Sequence, residues 1–78
     1  MINESVIQPF QHELEELNED ISDVSREIEH IYTEINASDI PNIDKHYYQK
    51  RLEFLKEELK ELKEEKSDVE ARLLELKK

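Results

Sequence analysis

The chain has 78 residues, with no cysteine and no glycine, and 21 acidic side chains against 11 lysines and arginines leave a formal charge of −10 at pH 7. That length supports one domain at most, with a thin core, and the charge opposes direct contact with nucleic acid or an anionic membrane. The missing glycine excludes phosphate-cradling loops, two-residue glycine hairpin turns and nucleophile elbows, which need positive φ or a backbone without a Cβ.

Alanine, glutamate, lysine, leucine and arginine occupy 38 of the 78 positions, the share that marks long helices and coiled coils. Without cysteine there is no disulfide framework, thiol nucleophile or thiolate metal site. The opening residues Met1, Ile2, Asn3 and Glu4 lack the basic start and continuous apolar run of a signal peptide, and no stretch approaches the ~18 apolar residues of a membrane span. The expected location is cytoplasmic.

From Ile7 the apolar residues run through Phe10, Leu14, Leu17, Ile21, Val24, Ile28 and Ile31 to Ile35, alternating steps of three and four. That alternation keeps side chains on one stripe of a slightly underwound helix, the pattern of a left-handed supercoil. In heptad letters, Ile7, Leu14, Ile21, Ile28 and Ile35 take position a, and Phe10, Leu17, Val24 and Ile31 take position d.

The next nine residues, Asn36 to Asp44, are rich in turn and cap formers, and Pro41 cannot continue the first helix. Asn36 is a candidate for the left-handed conformation that ends a helix, and Asn42 or Asp44 for the cap of the next one. A second stripe follows. Lys45, Leu52, Leu59, Lys66 and Leu73 take position a, with Tyr48, Leu55, Leu62, Val69 and Leu76 at d. Lys77 and Lys78 complement the dipole at the far end.

A short connection makes consecutive helices antiparallel neighbours. The expected fold is therefore all-α, an antiparallel two-helix coiled-coil hairpin. Residues 1–78 form one unit, with helix 1 at about 4–36, a linker at 37–43 and helix 2 at about 43–77. Residues 1–37 carry net −9 and residues 38–78 net −1, so helix 1 repels a parallel copy of itself and pairs better with helix 2. Across the g positions the register predicts Glu34 with Arg51 and Glu13 with Arg72, and sets the like-charged pairs Glu27 with Glu58 and Asp20 with Glu65 between them. The e flank sets Gln11, Asn18, Ser25 and Tyr32 against Gln49, Lys56, Lys63, Glu70 and Lys77, which is permissive and hardly selective. Two stripes alone leave apolar atoms in water, and dimerisation into a four-helix bundle is expected.

Lys66 is the one polar residue deep in its stripe, predicted near Leu17. Its stem packs while the ammonium reaches for Glu65, Glu70 or Asp20; the sharper reading is that a charge at the seam penalises alternative registers and oligomers. Glu27 and His30 have the Glu-x-x-His spacing that resembles half of a di-iron carboxylate motif. They lie at g and c, outside the apolar seam, and helix 2 has no matching motif. No catalytic, cofactor or metal residue is assigned, because a thin hairpin provides no dry cleft to shift a carboxylate pKa.

Aromatic residues outside the seam carry the functional expectation. Tyr47 and Phe54 share position c, with Arg51 between them at g and Tyr32 at e on helix 1. Aromatics and arginine are favoured interface anchors; the plainer reading packs them locally against Ile40 and Ile43. A smaller apolar group, Ile2, Val6 and Ile7 with Leu74, marks the other end. The expected function is a non-enzymatic protein–protein interaction module, a structural or regulatory adaptor that forms a homodimer and meets a protein partner of basic character, with no nucleic acid or membrane bound directly. The alternative is an acidic decoy that occupies the basic nucleic-acid-binding surface of another protein.

Overall fold

The computed structural model describes residues 4–37 and 39–77. Helix α1 spans Glu4–Ile35 and helix α2 spans Asn42–Leu76, within a residue or so of the boundaries the stripes predict. The two pack along each other as a hairpin 61 Å long and 14 by 13 Å across. All regular structure among the described residues is helical. Pro9 lies inside α1, near enough to its start that the missing N–H forgoes a bond only in the second turn.

Both helix junctions differ from the caps read in the sequence. No described residue has positive φ, so Asn36 does not turn left-handed. Instead its N–H donates to the Tyr32 carbonyl at 3.1 Å, and Ala37 N–H donates three residues back to Glu34 at 3.2 Å; the tightened turn satisfies terminal carbonyls without a Cβ clash. At the start of α2 the capping position belongs to Pro41, with no side-chain cap bond. Its carbonyl accepts from both Asp44 N and Lys45 N at 3.1 Å. Proline fits there because its φ of −59° is set by its ring, and Asp44 in the first turn answers the helix dipole with charge.

The core follows the stripes and is divided in two. Near the linker, Val24 and Ile31 of α1 bury against Leu52 and Leu55 of α2, supported by Ile28, Ile35, Tyr48 and Leu59. Toward the free ends, Leu17 buries with Val69 and Leu73, supported by Ile7, Phe10 and Leu14. Leu62 touches both groups. Between Leu62 and Val69 the apolar row is interrupted by half-buried Lys66. Lys66 forms no ion pair with Glu65, Glu70 or Asp20; on a two-helix seam its ammonium reaches water directly, which solvates the charge without a carboxylate.

The burial is lopsided across α1. Leu17, Val24 and Ile31 at d are buried and Phe10 at d is half-buried, whereas Ile7, Leu14, Ile21, Ile28 and Ile35 at a are all half-buried. On a helix the d row borders g and the a row borders e; on α2 both rows supply buried residues, Leu52 and Leu73 at a and Leu55 and Val69 at d, so the asymmetry belongs to α1 alone.

Candidate docking surface

The g flank is organised by Arg51. Its Nη2 and Nε donate to Glu27 Oε1 at 3.0 and 3.3 Å, and the guanidinium carbon lies 5.4 Å from the centre of the Phe54 ring. The partner predicted from the register was Glu34, which instead sits 3.9 Å from His30 on its own helix. Arg72, expected to meet Glu13, stays on its own helix beside Glu75 at 4.0 Å. Register sets which rows face each other, while an arginine and a glutamate side chain together reach across a heptad step of about 10.5 Å and select within the row. Glu27 stood opposite Glu58 in the predicted pairing, and a cation there lowers the repulsion of the acidic middle.

Phe54 is 58% exposed and Tyr47 66% exposed. Tyr47 sets its ring at an edge-on 68° to Tyr48, 5.8 Å between centres, and Tyr48 packs on the linker-proximal core. The strip is thus rooted in the fold at two points, one through Glu27 and one through Tyr48. Ile43 is 79% exposed and gives the strip no cover. Tyr32 lies apart on the e flank, 41% exposed, with Lys56 Nζ 5.4 Å from its ring centre. The structure therefore joins Arg51 and Phe54, sets Tyr47 one turn away against Tyr48, and holds Tyr32 apart on the other flank beside Lys56.

The remaining candidates are dispersed. The Glu27 carboxylate is engaged by Arg51 and the His30 imidazole faces Glu34, so the two do not converge on a common point, and among the described residues no three metal-ligating side chains cluster. His12 pairs with Glu16 at 3.0 Å on the surface. At the free end Val6 and Leu74 are exposed and Ile7 joins the core; Ile2 lies outside the described residues. No described helix is long and apolar enough to cross a membrane.

The e-flank lysines Lys56 and Lys63 are joined by Lys60, which the heptad pairing did not single out. Together they border a shallow hollow of about 410 Å³ on α2 with Leu59 at its base. The signal was present as spacings of four and three opposite uncharged e positions of α1. Comparison with protein-family models, curated proteins and solved structures gives no match.

Proposed function

We propose that the protein is a non-enzymatic protein–protein interaction module, an acidic antiparallel coiled-coil hairpin that self-associates as a dimer and docks a partner helix through Tyr47, Arg51 and Phe54, with Tyr32 contributing from the other flank. It works in the cytoplasm as a structural or regulatory adaptor. The observation that carries this reading is the tethering of Arg51 between Glu27 and Phe54 beside a half-exposed ring anchored on Tyr48. A partner that covers such a strip gains aromatic and arginine burial while few rotors remain to be frozen.

The test is capture of native partners by the full chain and by Tyr47→Ala with Phe54→Ala, followed by affinity measurement on the isolated pair. The double variant should weaken binding by at least ~2 kcal/mol, the scale of paired hot spots, with helicity unchanged because the seam uses other residues. Equal binding by the two proteins refutes the strip.

The acidic-decoy reading draws on a different observation: Glu27 is the one α1 acid bridged to α2 among the described residues, so the rest of that charge faces outward. Salt separates the two. Apolar docking persists at high ionic strength, whereas a decoy is released steeply.

A further inference from the structure

The outer face of α2 changes character at Phe54. Near Tyr47 the cations Lys50 and Arg51 stand close in sequence, and Glu27 meets the second. From Phe54 to Asp68 the c and g rows of α2 hold Glu58, Glu61, Glu65 and Asp68 and no base. Over both helices the c and g rows carry twelve of the 21 acids and two of the 11 bases, so this one flank holds the chain's whole formal charge of −10. Both of those bases are engaged, Arg51 by Glu27 and Arg72 by Glu75. Directly beyond the aromatic strip lies a hollow of about 310 Å³ lined by Phe54, Glu57, Glu58 and Glu61. None of its three carboxylates makes an ion pair within the chain. The lysines closest in sequence are placed elsewhere: Lys56 lies by the Tyr32 ring on the other flank, and Lys60 lines the separate hollow around Leu59. Glu61 follows Glu57 by four residues and Glu58 by three, so like charges repel across a single turn, and Glu58 is half-buried.

We propose that the partner of this face is a basic amphipathic helix of another protein, with apolar side chains on Tyr47 and Phe54 and a lysine or arginine seated in the hollow beyond them. Charge decides the occupant. Outside the c and g rows nine acids accompany nine bases, so a second copy of the chain brings no net positive face. A neutral apolar helix would cover the Glu58 carboxylate with nothing to replace its water, which costs free energy. A long basic side chain suits both parts of the hollow, its methylene stem on the ring and its charged head among the carboxylates. The cation also relieves the repulsion between Glu57, Glu58 and Glu61. Polarity follows as well: the apolar part of the partner lies toward the linker and its basic part toward the middle of the hairpin, where Glu65 and Asp68 extend the acidic row. The assignment rests on the reading of Tyr47 and Phe54 as a docking strip and adds the chemistry of what docks there.

The probe is a dye-labelled amphipathic helical peptide of leucine and lysine, and its control is the same peptide with glutamate at every lysine. Fluorescence anisotropy with the full chain at physiological salt should show the lysine peptide bound at least about tenfold tighter than the control. Glu57→Gln with Glu58→Gln and Glu61→Gln should remove about tenfold of that affinity. A set that removes as many charges from α1 on the same flank, Glu16→Gln with Asp20→Asn and Asp23→Asn, should cost no more than about threefold. Circular dichroism checks that both sets stay helical, as isosteric replacements on outer rows should. Equal losses from the two sets would mean that the flank attracts cations as a field, which overturns the hollow as a site. A lysine peptide bound no tighter than the glutamate peptide overturns the basic partner. If Tyr47→Ala with Phe54→Ala abolishes binding while the glutamine set at Glu57, Glu58 and Glu61 has no effect, the docking strip stands and the basic partner falls. If neither has an effect, both fall.

Discussion

Arg51 commits two of its donors to one oxygen of Glu27, at 3.0 and 3.3 Å, while the same guanidinium stands over the Phe54 ring. The pair crosses from α2 to α1 on a flank where both side chains are nearly half exposed, 40% and 45%. Coulomb energy in that setting is small. What the bond supplies is position: it holds the guanidinium on the ring and the ring on the outer face.

Glu27→Gln should consequently cost the isolated hairpin less than ~1 kcal/mol in urea unfolding, the range of an exposed ion pair. Partner affinity should fall more than stability does, since the freed Arg51 must be ordered again on binding. Calorimetric titration beside urea denaturation gives both numbers, and an affinity loss no larger than the stability loss counts against the tether.

Among the described residues Leu55 is the most deeply buried side chain, 1% exposed, and its truncation should be the most damaging on α2. Leu55→Ala is expected to cost about 2–5 kcal/mol, enough to unfold much of so thin a core at room temperature. Ile43→Ala, on an exposed site in the first turn of α2, should stay within about 0.5 kcal/mol. Circular dichroism during denaturant titration compares the two, and a milder effect at Leu55 than at Ile43 would mean the seam lies elsewhere.

Lys66→Leu should join the two core groups into one continuous row and stabilise the helical state by about 1–2 kcal/mol, the gain for partial burial of a leucine. Loss of the charge also removes its penalty on other registers and assemblies. Light scattering should then find species larger than the wild-type protein forms. A more stable variant with an unchanged mass would show that Lys66 is merely tolerated at a wet position.

For the acidic face the informative substitutions are Glu16→Gln with Asp20→Asn and Asp23→Asn, because Glu27 is tied to Arg51 and its removal would disturb the aromatic strip as well. If the adaptor reading holds, partner binding changes by no more than about threefold at physiological salt, as for charges at an interface rim. If binding disappears while Tyr47→Ala with Phe54→Ala has no effect, the decoy reading replaces it.

The alternating spacing from Ile7 to Ile35 and from Leu52 to Leu76 determined by itself that there are two helices, where they break and which stripes meet. Helical geometry converts a spacing of three and four into a direction with no further information, and Pro41 cannot continue a helix in any context. The aromatic strip was legible for the same reason, since Tyr47, Arg51 and Phe54 share one side of α2 by spacing alone. Tertiary structure decided what depends on distances between elements. Pro41 took the capping position from Asn42 and Asp44 because the path of the linker, which spacing does not encode, sets where each carbonyl points. Arg51 took Glu27 instead of Glu34 because a long side chain has several acids within reach and the local field chooses among them. The half-buried a row of α1 beside its buried Leu17, Val24 and Ile31 depends on how each helix is rotated about its own axis when the two pack, which spacing does not encode.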